Sequence, residues 1–288
     1  MLISASRWTF FAMCVFLPIF LLDARAENLK TDESMQLFVG SERGSELVSV
    51  NAGDLTIQSR RRIGADKVGS FNDDVLSPYR GFEDIDNVLE SDRIEIFHKK
   101  FIASYNAHCA NYPAPFVGET QKLRKKFSVY QEPRKRHFLY AAYAHGYAVF
   151  DGDFNVLFVE CDGLVKRAAW TSDGSMLAVA LAENNYSQAK FKVHVLEVKN
   201  KKLQKIDKIS RVGDLMWFDG QGLLVLDVEN KGSLNPFYAL RSLAGHSVEF
   251  RSVYINRYTR EGTLQERKLL VENLKNGFAY FLPEKGSE

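Results

Sequence analysis

Apolar residues recur at two different spacings along this chain. Ile94, Phe97, Phe101, Ile102 and Tyr105 follow steps of three and four, which bring side chains onto one face of a helix. A helix is therefore predicted from Ser91 or Asp92, either of which can cap it. It must end before Asn111-Tyr112-Pro113-Ala114-Pro115, where proline forbids continuation. Elsewhere the apolar runs are short. Residues 35–40, 46–50 and 55–57 are separated by turn-forming stretches, the pattern of a small antiparallel meander over 27–63.

From residue 138 the chain turns strand-rich. Short apolar runs cover 138–143, 147–150, 156–159 and 178–181, and 192–198 alternates polar with apolar, as a half-buried strand does. A strand over 247–258 can pair with 265–271 across Glu261-Gly262-Thr263, and the last apolar run is 278–282. Turn signals at intervals near ten residues predict an antiparallel sandwich or propeller rather than an α/β fold. One phrase occurs twice, as Ala168-Ala169-Trp170-Thr171-Ser172-Asp173-Gly174 and as Asp214-Leu215-Met216-Trp217-Phe218-Asp219-Gly220. Each reads as strand, Asp-Gly turn, strand, a strong hairpin signal. The two Asp-Gly pairs stand 46 residues apart, the length of one four-stranded blade.

Ala169-Trp170-Thr171-Ser172-Asp173-Gly174, followed by Leu177-Ala178-Val179, resembles the Trp-Ser-Pro-Asp-Gly…Leu-Ala-Phe phrase of TolB-type and WD40-like β-propeller repeats. Ser172 replaces the proline, and in the second copy Met216 stands at the tryptophan position. The resemblance covers about 90 residues, 168–258. It implies a mainly β fold of antiparallel, propeller-like repeats, a ring of blades used as a rigid binding platform. A loop and helix segment, 64–137, would be inserted between the 27–63 meander and a propeller-like region over 138–288.

Two further features bear on compartment. Residues 9–22 are almost wholly apolar and are followed by Asp23-Ala24-Arg25-Ala26. That length suits a signal-peptide core and falls short of a membrane span, so cleavage and a mature start at Glu27 are expected. An uncleaved anchor is the rival reading. After such processing only Cys109 and Cys161 remain, which in an oxidising compartment predicts one disulfide, against the alternative of two buried thiols. With 288 residues, 45% hydrophobic and a formal charge of only +2, nothing global calls for nucleic acid.

Local chemistry is sparse. Gly-x-Ser-x-Gly, phosphate-binding glycine loops, His-Glu-x-x-His and Cys-x-x-Cys do not occur, so no catalytic residue, cofactor or metal is assigned. Asp151, Asp153 and Asn155 start like a calcium loop, but Val156 replaces the required glycine, which favours a hairpin turn. Lys122, Arg124, Lys125, Lys126, Arg134, Lys135 and Arg136 form a basic segment with interleaved aromatics, a candidate anion surface. An acidic tract over 73–95 can instead face it within one molecule. The expected function is an exported, non-catalytic binding or scaffold protein, its partner a protein or an extracellular polymer. The alternative is a hydrolase or lyase acting on such a polymer through paired carboxylates, which a sequence does not reveal.

Overall fold

The structure is a computed structural model that describes residues 34–42, 44–64, 83–84, 88, 90–109, 127–142, 146–161, 163–183, 190–218, 222–231 and 250–282. The apolar segment at 9–22, Asp73, Asp74 and Asp86 of the acidic tract, and Lys122, Arg124, Lys125 and Lys126 lie outside them.

Four antiparallel sheets account for the strands. Sheet two holds β4 (Glu83–Asp84), β5 (Phe127–Gln131), β6 (His137–Ala142), β7 (Tyr147–Asp151) and β8 (Val156–Glu160) in chain order. Sheet three is β9 (Leu164–Trp170), β10 (Met176–Ala182), β11 (Phe191–Glu197) and β12 (Lys202–Ile209). Sheet four is β13 (Val212–Phe218), β14 (Gly222–Asn230), β15 (Phe250–Tyr258) and β16 (Leu264–Lys275). Sheet one is assembled from both ends of the chain. Here β1 (Ser34–Ser41), β2 (Gly44–Asn51) and β3 (Ile57–Ile63) are joined by β17 (Phe278–Phe281), which pairs with β1 through Leu37 opposite Phe281 and Val39 opposite Ala279.

The sheets stack face to face because their strands are apolar on both sides. Leu37, Val39 and Val48 of sheet one pack on Leu224, Leu226 and Val253 of sheet four. Ala178, Val193 and Val195 of sheet three meet Leu215, Leu223 and Val225 of sheet four. Leu139 and Val149 of sheet two meet Leu177 and Val179 of sheet three. Antiparallel sheets of four or five strands stacked in this way are propeller-like blades.

A helix, α1 (Ser91–His108), takes the remaining face of sheet two. Ile94, Phe97, Phe101 and Tyr105 are buried on it as their spacing predicts. Phe97 lies at the centre, with ring centroids 4.2 Å from Phe150, 5.0 Å from Tyr140 and 5.1 Å from Phe154. The start differs from expectation. Glu90 is the N-cap and makes no side-chain cap bond, so neither Ser91 nor Asp92 caps the helix. Docking of the aromatic stripe supplies what the cap does not, consistent with tertiary packing dominating helix stability. The helix end is tied down by a disulfide, Cys109 to Cys161, with Cα atoms 5.4 Å apart. Beside it the Tyr105 hydroxyl donates to the Cys161 carbonyl.

Two local readings are corrected. Strand β3 begins at Ile57, while Leu55 sits buried in the preceding turn with a positive φ of 54°. In the second Asp-Gly phrase, Trp217 is the structural counterpart of Trp170, not Met216. Trp170 pairs with Leu177 and Trp217 with Leu223, so the second connection is one residue shorter. The side chains confirm the equivalence. Trp170 Nε1 donates to the Tyr130 carbonyl on β5, and Trp217 Nε1 to the Ala169 carbonyl on β9, each reaching the preceding sheet. At the first turn Asp173 Oδ1 accepts from the Thr171 hydroxyl and from both the backbone and hydroxyl of Ser175. These bonds hold its carboxyl down to about 2, and Gly174 supplies the positive φ of 69°.

The seam between sheets two and three holds a buried histidine with a pH consequence. His194 on β11 is fully buried, its Nδ1 3.1 Å from the Tyr147 hydroxyl. Glu160 lies 3.5 Å away but also pairs with Lys205 at 3.9 Å, so its charge is shared. Burial first, then Lys205 and Lys192, push the imidazole down to about 3 from its ordinary 6.5. Between those values the unfolded chain binds a proton that the folded chain refuses. Stability should therefore fall as pH drops below about 6.5, at up to roughly 1.4 kcal/mol per pH unit, and the loss should continue to about pH 3. Urea titrations between pH 7 and 4.5 check this: His194→Phe should show a flatter slope than the parent chain, whatever its baseline. An unchanged slope would mean that another group titrates.

Candidate anion-binding pocket

Inner strands β9, β13 and β17 lie side by side at the middle of the stack, drawn from sheets three, four and one. A buried network ties them. Arg167 on β9 donates through Nε to the Gly213 carbonyl on β13 at 3.1 Å and lies 3.6 Å from Asp214 Oδ1. Its guanidinium rests over the Tyr280 ring of β17, 5.0 Å from the centroid. Asp214 Oδ2 in turn accepts the Phe281 N–H at 3.0 Å. Both charged side chains are 7% exposed. Gly213 permits the close approach: a Cβ there would meet the Ala279 carbonyl oxygen at 2.8 Å.

Where these strands begin, a cavity of about 160 Å³ opens. Among the described residues its lining contains four cations, Lys166, Arg167, Arg211 and Arg251, and no carboxylate. Phe191, Phe278 and Tyr280 form an aromatic wall. Backbone carbonyls accept from two of these side chains. Arg251 Nη1 donates to the Gly277 carbonyl at 2.9 Å, and Arg167 Nη1 to the Lys166 carbonyl at 3.3 Å. The Arg211 backbone N–H is accepted by Asp227 Oδ1, while the other oxygen of that carboxylate faces Arg267 at 3.1 Å. Arg167 keeps its counter-charge in Asp214, just behind the lining. Burial first, then Arg211 and Arg167, push the Lys166 ammonium below the ordinary lysine value.

A second, larger cavity of about 450 Å³ lies between the outer parts of sheets one and four. Its lining holds Glu46, Arg62 and Lys275, of which Lys275 pairs with Glu42 at 2.5 Å and Glu46 with Arg60 at 3.6 Å. The inner pocket is the stronger candidate on charge, although it is the smaller.

The residues singled out in the sequence fall elsewhere. Arg134 and Lys135 are exposed in the β5–β6 turn. Arg136 folds back on Glu132, Nε to Oε1 at 3.2 Å, and also donates to the Asp173 carbonyl. Asp151, Asp153 and Asn155 form the β7–β8 turn, where Asp151 accepts from both backbone N–H groups and from the Asn155 amide. The pocket residues went unread because they stand singly on separate strands. A signal did exist. Arg167 precedes Trp170 by three residues and Asp214 precedes Trp217 by three, so opposite charges occupy the same repeat position of adjacent inner strands.

No protein-family model and no curated protein sequence matches the chain. Solved structures that are similar to it in part include a eukaryotic initiation factor, 12% identical over 55% of this chain and 35% of that one, with a TM-score of 0.37. The Kuenenia stuttgartiensis hydrazine synthase is 11% identical over 85% of this chain and 65% of that one, TM-score 0.38. The β-propeller domain of the Trilobed protease from Pyrococcus furiosus is 8% identical over 83% and 58%, TM-score 0.34. The chain thus spans about a third to two thirds of the length of these structures. Overlaps this loose align no residues, and the description of the pocket rests on its own geometry.

Proposed function

We propose that this chain is an exported, non-catalytic binding platform whose ligand seats at the inner-strand pocket. The supporting observation is the pocket itself, where cations from β9, β15 and the β12–β13 connection converge beside the aromatic residues of β17. Sites on such a scaffold are held in place before the ligand arrives, which lowers the ordering cost of binding. Export is supported by the apolar run at 9–22 and by the Cys109–Cys161 bond, a pairing that persists in oxidising compartments.

The test is affinity capture. The exported chain, with its disulfide intact, is immobilised and exposed to an extract of its own compartment. A specifically retained protein or polymer, eluted by salt, is expected. The platform reading fails if nothing is retained while a polysaccharide or peptide panel is turned over, an outcome that would instead favour hydrolysis through paired carboxylates.

A further inference from the structure

The outer strands of the four sheets are β3, β8, β12 and β16, and β3 stands apart from the others. Six of its seven residues are exposed and the seventh, Ile63, is half-buried. One side pairs with β2, from Ser45 opposite Ile63 to Val50 opposite Ile57. The other side pairs with no strand among the described residues. Strand β3 also carries three like charges in succession, Arg60, Arg61 and Arg62, which no other outer strand does.

The three arginines differ in their surroundings. Arg60 and Arg62 lie opposite Val48 and Glu46 of β2, on the face turned to sheet four, while Arg61 lies opposite Leu47 on the other face. Arg60 is engaged: it donates to the Leu270 carbonyl and pairs with Glu46 at 3.6 Å. Glu46 stands directly across from Arg62 but pairs with Arg60 instead. Among the described residues neither Arg61 nor Arg62 forms an ion pair.

We propose that this edge takes up an extended acidic segment of a partner protein as a fifth strand of sheet one. In strand addition the backbone groups of an open edge supply the affinity, and side chains on alternating faces supply the selectivity. Seven residues offer an edge of roughly 20 Å. Two successive carboxylates on the incoming strand fall on opposite faces, one beside Arg61 and the other beside Arg62, at the spacing of cross-strand pairs. At its Ile63 end the edge borders the larger cavity, which Arg62, Ile63, Val39 and Leu274 help to line, a recess for one further side chain.

The charges also choose between occupants. Charged edges keep like strands apart. Two copies of β3 brought edge to edge would set arginine near arginine, whereas an acidic strand is drawn in, so repulsion and attraction act together. The edge lies on the outer border of the sheets, away from the inner-strand pocket, and either site can fail without the other.

The probe for this edge is a labelled heptapeptide of alternating threonine and valine with aspartate and glutamate at two adjacent central positions. Titrated with the full exported chain, it should bind saturably and one to one by fluorescence anisotropy. A version with two lysines in place of the acids should bind about tenfold more weakly or worse. The acidic peptide methylated on its backbone nitrogens, which keeps its charge and loses its donors, should be weakened to a similar degree. Arg61→Glu/Arg62→Glu should reverse the preference between the acidic and lysine peptides. Both side chains are exposed, so its urea midpoint should match the parent's. Arg62→Gln, a milder change, should weaken the acidic peptide by about twofold to fivefold. The proposal is overturned if the acidic peptide does not saturate, or if the methylated peptide binds as well as its parent, which would leave charge attraction without strand pairing. It is also overturned if sedimentation shows self-association of the chain that Arg61→Glu/Arg62→Glu abolishes, since a second copy would then be the occupant.

Discussion

Replacing Asp214 by alanine is expected to lower the unfolding free energy by about 3–5 kcal/mol, the cost of stranding a buried cation. Arg167 and Asp214 are each 7% exposed and lie 3.6 Å apart, so the substitution leaves the guanidinium without its carboxylate in a medium of low polarity. It also removes the acceptor of the Phe281 N–H, an unmet donor worth a further 1–3 kcal/mol where no water can enter. The effect is local to the junction of β9, β13 and β17, which is where three sheets meet. Urea unfolding of Asp214→Ala, Arg167→Met and the double variant measures it as a cycle. The double variant should lose less than the single Asp214→Ala, because no charge is left stranded. A single-variant loss below about 1 kcal/mol would show that the network does not hold the junction.

Cys109→Ser/Cys161→Ser should cost roughly 4 kcal/mol. The bond closes a separation of 52 residues, and the chain-entropy model assigns about that much to a loop of this length. The loop encloses β5, β6, β7 and β8, so opening it frees the unfolded chain far more than the folded one. The parent chain should show a matching loss in reducing buffer. Coincident urea midpoints for the oxidised and reduced parent would overturn this account. Hydrogen exchange adds a spatial check. Freed of the bond, α1 stays docked through Phe97 and Phe101 but should lose protection first around Tyr105 and His108, its end nearest Cys109.

Much of the fold was legible because its signals are local. The stripe from Ile94 to Tyr105 has the period of a helix face, and all but the half-buried Ile102 are buried there. The two Asp-Gly phrases mark hairpins of adjacent sheets, as their spacing predicts, because a blade of four short strands has a fixed length. The slip from Trp217 to Met216 came from aligning turns when the strands keep register and the connection shortens. What stayed hidden is non-local. Lys166, Arg211 and Arg251 share no window of sequence, whereas the run at 122–136 draws the eye by crowding alone. The partnership of β1 with β17 is invisible for the same reason: two short apolar strands at opposite ends carry no mark of each other.

That partnership sets a timetable. A chain emerging from the ribosome completes β1, β2 and β3 early, yet β17 follows roughly 215 residues after the end of β3. At synthesis rates of about 5–20 residues per second the wait exceeds ten seconds. Throughout it one side of β1 is paired with β2 while the other, which β17 will cover, is an open edge whose backbone is ready to pair with any passing strand. Sheet one is begun before sheets two, three and four and closed after them, so the hazard of stray edge pairing lasts until β17 is released.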